Sequence, residues 1–133
     1  MKYLLDTHAC FWSIFEKEKL SSATRSILED IEAEIMVSQV SLWEIAIKYR
    51  LGKFSEFNAT LEEFIEAVIK AGFSILTLKN EHLTAYFNYP HFTDDHKDPF
   101  DRLLLVTADV ERASLITKDE KFSVYKERLN IVW

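Results

Sequence analysis

Lys2-Tyr3-Leu4-Leu5-Asp6-Thr7-His8-Ala9-Cys10-Phe11 begins with a short apolar run, meets an acid, and continues with residues at helical spacing. A run of this length cut off by a polar residue reads as a buried strand handing over to a helix. The pattern recurs. Glu34-Ile35-Met36-Val37 stops at Ser38, Phe73 to Leu78 alternates, and Ser114-Leu115-Ile116-Thr117 and Asn130-Ile131-Val132-Trp133 supply two more strands. Helical segments separate most of them, so the sequence predicts an α/β fold with a mainly parallel central sheet flanked by helices.

Those helices announce their ends. Thr7 to about Glu18 carries Cys10, Phe11, Ile14 and Phe15, and Ser21 or Ser22 caps a second helix running through Ile27, Leu28 and Ile31. Ser41-Leu42-Trp43-Glu44 matches a capping box ahead of Ile45, Ala46 and Tyr49, with Gly52 as a stop. Thr60-Leu61-Glu62-Glu63 repeats the box before Phe64, Ile65, Val68 and Ile69, and Gly72 closes that helix. A further helix is expected over Glu81–Tyr86. Asn88 to Lys97 reads as a polar loop leading to Asp98-Pro99, where an acid caps and proline takes the first helical position of a segment reaching about Arg112.

Composition narrows the function classes. The chain of 133 residues, 48% hydrophobic and with two glycines and two prolines, suits a single domain over 1–133 rather than a turn-rich sandwich of short strands. One cysteine, Cys10, forms no internal disulfide, and helical neighbours mark it as core rather than nucleophile, so a reducing, cytoplasmic setting is expected. No run approaches the ~20 apolar residues of a membrane span. The net charge of −6, from 16 basic and 22 acidic residues, argues against broad electrostatic binding of nucleic acid.

In open parallel sheets, sites form beyond the carboxyl ends of strands. Four acids fall there: Asp6 after the first strand, Glu44 and Asp101 in first turns of helices, and Asp119 just after the strand ending at Thr117. Each has an ordinary reading as a cap or a favourable charge at a helix start. Together they are harder to dismiss, since carboxylates about 4 Å apart repel by ~4 kcal/mol per pair at an effective dielectric of 20. An all-oxygen donor set suits Mg²⁺ or Mn²⁺, and such ions share their shells with phosphate esters.

The phrases Leu4-Leu5-Asp6-Thr7-His8-Ala9, Ser38-Gln39-Val40-Ser41-Leu42-Trp43-Glu44-Ile45-Ala46-Ile47-Lys48, Asp98-Pro99-Phe100-Asp101-Arg102-Leu103-Leu104 and Thr117-Lys118-Asp119-Glu120-Lys121-Phe122 occur in this order along nearly the whole chain. The sequence thereby resembles PIN-domain proteins of the VapC toxin type. That resemblance implies a PIN-like three-layer sandwich and an acidic quartet, Asp6, Glu44, Asp101 and Asp119, that binds Mg²⁺ or Mn²⁺ and cleaves single-stranded RNA. It also implies a small antitoxin partner, DNA contact only through that antitoxin, and a homodimer.

Around the quartet, Asp98 is a helix cap that could also support the metal, while Thr117 and Ser38 are hydroxyls placed to bond a ligating acid. Lys48, Arg50 and Lys53 form a basic stretch, and Arg102 follows the third acid; of these, Lys48, Lys53 and Arg102 are candidate phosphate contacts or members of a solvated face. His91 and His96, flanking Asp94 and Asp95, are read as part of a flexible polar loop rather than a zinc site. A receiver domain is disfavoured, since one Asp rather than a pair follows the first strand and the third ends at Thr77-Leu78-Lys79 without an acid. A dehalogenase-like phosphatase is disfavoured because Thr7 and His8, not a second Asp, follow Asp6. The remaining rival is a PIN-fold interaction protein without catalysis.

Overall fold

A computed structural model describes residues 1–54 and 58–133. Five strands, β1 (Lys2–Leu5), β2 (Glu34–Ser38), β3 (Ser74–Leu76), β4 (Ser114–Ile116) and β5 (Ile131–Val132), form one sheet in the order β3-β2-β1-β4-β5. Every pairing is parallel, with Leu5 opposite Val37 on one side and Ile116 on the other. The sheet grows outward from β1 through β2 to β3, then the chain crosses back to add β4 and β5. The reversal falls between β1 and β4, which is where an open parallel sheet leaves a crevice.

Strand side chains alternate between faces, and adjacent leucines in β1 show the result. Leu5 joins Ile35, Val37 and Ile116 in a core with Ala9, Cys10 and Phe11 of α1 (Thr7–Phe15), Leu42 and Ile45 of α3 (Gln39–Arg50), and Phe64 and Val68 of α4 (Leu61–Lys70). Leu4 points the other way. It packs with Met36, Leu115, and Leu104, Leu105 and Ala108 of α6 (Pro99–Val110), beside Phe122, Tyr125 and Leu129. Two cores on opposite faces of one sheet make the expected three-layer sandwich. Helices α2 (Ser22–Glu29) and α5 (Asn80–Asn88) complete the layers, α5 lying on α6. None of the described helices is long and apolar enough to cross a membrane.

Several boundaries shift for local reasons. The first helix stops at Phe15 rather than near Glu18, and Lys17–Lys19 turns as a 3-10 segment. α2 is capped by Ser21 and ends at Glu29, because the Asp30 carboxylate accepts the Glu32 N–H and starts a turn; Ile31 is left 95% exposed instead of completing a helical face. The expected box at Ser41 is absent. Ser38 has extended backbone angles and its hydroxyl accepts the Val40 N–H, so α3 starts directly off β2. The Thr60–Glu63 box is present as expected. A run of 3-10 turns over Glu120–Tyr125, which has no helical period in sequence, carries Phe122 and Tyr125 into the second core.

Candidate active site

Asp6 follows β1 and Asp119 lies three residues beyond β4, on neighbouring strands at the crevice. The Asp6 side chain caps α1, its Oδ1 accepting the Ala9 N–H at 2.7 Å, while Oδ2 accepts the hydroxyl of Thr117. Thr117 in turn accepts the Asp119 N–H at 3.0 Å. Asp6 is 6% exposed, and burial pushes its carboxyl up to about 6 against the pull of those hydrogen bonds; Asp119 and Glu44 add smaller upward pushes.

Glu44 enters from the second turn of α3. Early capping by Ser38 frees Glu44 from the box and turns it toward α1, where Thr7 donates its hydroxyl to Oε1 at 2.7 Å. Ser41 lies 3.1 Å from the same hydroxyl. Lys48, one turn on, sits 3.2 Å from Oε2.

Asp101 occupies the first turn of α6, whose cap is Asp98: its Oδ1 accepts the N–H groups of Phe100 at 2.8 Å and Asp101 at 3.2 Å. Burial, the Asp98 charge and that of Asp119 together push the Asp101 carboxyl up to about 6, opposed by His96. Asp119 thus pushes up both Asp6 and Asp101, and Glu44 pushes up Asp6, so like charge links the four acids along one rim.

His96 corrects the sequence reading. Its backbone does lie in the connection before α6, yet the ring is 1% exposed. Nε2 lies 3.2 Å from Asp101 Oδ2, Nδ1 lies 3.2 Å from the Tyr125 hydroxyl, and Phe122 meets the ring edge-on at 4.8 Å. The Tyr125 oxygen accepts the Thr93 N–H. An ionised Asp101 carboxylate can only accept, so in a neutral ring Nε2 donates to it and Nδ1 accepts the Tyr125 hydroxyl. A loop this polar buries a histidine because both ring nitrogens find partners.

Other candidates are placed less centrally. Arg102 donates to the carbonyls of His96 and Thr93 and lies over the Phe92 ring, so its contacts fasten the loop. Lys53 sits exposed on the turn after α3, and Ser38 acts as a helix cap. Cys10 is buried, and desolvation drives its thiol far up, which removes it from chemistry.

The donor set on the rim, four carboxylates without sulfur or imidazole, fits a hard divalent cation such as Mg²⁺ or Mn²⁺. Two carboxyls held up to about 6 by burial and like charge mark a place where positive charge is wanted. Among the described residues, the trio of acid and histidine donors within 4.8 Å of one another is Glu81, His82 and Glu111. It lies at the other end of α6, about 15 Å away by helical rise. There His82 Nδ1 accepts the Lys79 N–H, so Nε2 is protonated and donates to Glu111 at 2.7 Å. A protonated Nε2 ties α5 to α6 and offers no lone pair to a metal.

An all-parallel sheet with carboxylates gathered at its switch point defines an α/β domain of the acid-rimmed kind. The PIN domain family model matches residues 3–128, and the chain belongs to that family. It is 36% identical over 59 residues to "Ribonuclease VapC16" of Mycobacterium tuberculosis, an alignment spanning 44% of this chain and 42% of that one, so it covers less than half of the relative. Among solved structures, VapBC2 of Rickettsia felis bound to a promoter DNA fragment superposes with a TM-score of 0.66 at 19% identity, covering 100% of this chain and 99% of the other. VapBC-1 of Haemophilus influenzae gives 0.64 at 17%, covering 98% and 96%. These likenesses establish the fold.

Proposed function

We propose that this chain is a single PIN-like domain over residues 1–133 acting as a metal-dependent endoribonuclease, the toxin of a type II toxin–antitoxin pair. The observation that carries this reading is the convergence of Asp6, Glu44, Asp101 and Asp119 on one rim, in the order of the motifs, with two of the carboxyls pushed up to about 6. The family and the ribonuclease relative supply the substrate class.

Asp6, Glu44, Asp101 and Asp119 would hold Mg²⁺ or Mn²⁺, which when bound offsets phosphate charge and makes a coordinated water a stronger nucleophile. The chain's own groups prepare that site. Thr117 orients Asp6 and fixes the backbone of Asp119, Thr7 orients Glu44, and His96 orients Asp101. Lys48 balances Glu44 until another cation competes for it. Asp98 acts through Asp101, whose N–H it caps.

A protein antitoxin follows from the same reading, since the structural neighbours are VapBC complexes, one of them on promoter DNA. DNA contact would then be the antitoxin's. A homodimer has suitable surface in Trp43, Ile47 and Leu51, one turn apart along α3 and all exposed. A cytoplasmic location fits a chain with one buried free thiol.

The test is cleavage of labelled single-stranded and structured RNAs with Mg²⁺, Mn²⁺ or EDTA, beside Asp6→Asn. Metal-dependent cleavage lost in Asp6→Asn supports the enzyme. Identical behaviour of the two proteins would replace it with a PIN fold kept for partner binding.

A further inference from the structure

A cavity of about 400 Å³ opens directly beside the rim, lined by Asp6, His8, Trp12, Lys118, Asp119 and Glu120. Two of these are acids of the quartet and Glu120 is a third acid; His8, Trp12 and Lys118 are aromatic and basic groups that the reaction chemistry leaves unused. His8, on the first turn of α1, is exposed, and its ring meets that of Trp12 at 5.6 Å and 41°, so the two planes form a wedge. Trp12 is braced edge-on by Trp133 at 5.9 Å. Lys118 brings its Nζ to 5.9 Å from the Trp12 centroid.

Charge makes this corner unusual. A chain of net charge −6 repels a polyanion, so a strand entering the rim needs local cations. Lys48 is engaged by Glu44, Lys19 by Glu16, and Arg102 by loop carbonyls. Among the described residues Lys118 is in no ion pair, and it is the lysine that lines the cavity. Rings that can stack on a base, next to a cation that can pair with its phosphate, are the means by which proteins seat single strands.

We propose that the His8–Trp12–Lys118 cleft seats the nucleotide adjoining the cleaved phosphodiester of single-stranded RNA, its base against the rings and its phosphate on Lys118. The inference rests on the ribonuclease reading and adds to it a positioning site. Position supports it: Asp6 and Asp119 form one wall of the cavity, so a base lodged there leaves its neighbouring phosphate at the carboxylates. The wedge faces single-stranded RNA because paired bases do not offer their faces.

Two measurements test it. In steady-state cleavage of a labelled decaribonucleotide with Mn²⁺, His8→Ala and Lys118→Ala should each raise KM by about tenfold while kcat moves far less. His8→Phe, which keeps a ring and removes the nitrogens, should restore KM; Trp12→Phe, which spares the packing on Trp133, should raise it modestly. Binding of the same oligonucleotide to Asp6→Asn protein, followed by fluorescence anisotropy, should weaken in parallel on adding His8→Ala or Lys118→Ala. An abasic nucleotide at the seated position should cancel the effect of His8→Ala. Unchanged KM and binding in both alanine variants would overturn the cleft, as would a His8→Phe enzyme as impaired as His8→Ala with the loss in kcat. Should native protein fail to cleave while Asp6→Asn still binds RNA in a manner sensitive to His8 and Lys118, the cleft stands and the nuclease reading falls.

Discussion

Thr117 Oγ1 donates to Asp6 Oδ2 and accepts the N–H of Asp119, so one hydroxyl joins two rim acids that are 113 positions apart in the chain. Its removal leaves the buried Asp6 oxygen without that partner and frees the Asp119 N–H. Thr117→Val should cost about 1–3 kcal/mol in denaturant unfolding. It should also raise the Asp6 carboxyl further, because the Thr117 bond is one of the two that hold it down. Mn²⁺ affinity by calorimetry should then fall more at pH 6 than at pH 8, while Thr117→Ser behaves like the native protein. Equal losses at both pH values would show that Thr117 acts only in packing.

Asp6 offers a pH test with a fixed sign. Its folded value of about 6 lies above the ordinary 3.8, so ionisation costs the fold stability. The cost is fully present above about 6 and absent below about 3.8. In EDTA, Asp6→Asn should therefore melt at or above the native protein at pH 7.5, and the difference should shrink on approach to pH 4. Using the difference removes the opposite contribution of His8, whose value is lowered by burial and by Lys48. A gap independent of pH would mean that the burial penalty at Asp6 is absent.

His96 stands between the Tyr125 phenol and the rim acid Asp101. His96→Gln should destabilise by about 1–3 kcal/mol, since the Tyr125 hydroxyl and Asp101 lose matched partners in the interior. Asp101 should also become harder to ionise, as His96 opposes the rise. The acidic limb of cleavage against pH should then move upward, and Tyr125→Phe should give a smaller shift in the same direction. An unmoved limb with lowered stability would confine His96 to holding the loop.

Lys48 pairs with Glu44 and would compete there with a divalent cation. Lys48→Met should tighten Mn²⁺ binding by calorimetry several-fold, because the carboxylate is no longer shared. Stability without metal should fall by no more than about 1 kcal/mol, the usual size of such a pair near the surface. Weaker Mn²⁺ binding in this variant would show that Lys48 orients Glu44 rather than shielding it.

Strands were legible because each is a short apolar run closed by a polar residue, and the acids at Asp6 and Asp119 followed from where those runs stop. Glu44 and Asp101 were legible through helix starts, although the helix at Glu44 is capped by Ser38 instead of Ser41. What stayed hidden depends on distant pairing. Thr7 has no local sign that its hydroxyl meets Glu44, 37 positions on, and His96 sits among polar neighbours that read as solvent-facing. The trace it left was Phe122 and Tyr125, large side chains in a stretch without helical period, where a buried phenol requires a polar partner.

The central strand gains its second neighbour late. Leu5 bonds its neighbours on both sides, but Ile116 is synthesised more than one hundred residues later, and β5 follows it. Closing so large a loop sets a slow, non-local step in folding. A nascent chain that has emerged only as far as α6 therefore holds Asp6, Glu44 and Asp101 without Thr117 or Asp119 to complete the rim. On the ribonuclease reading proposed above, the rim is therefore assembled only once β4 and the residues just after it have been made, a timing that the order of the strands imposes.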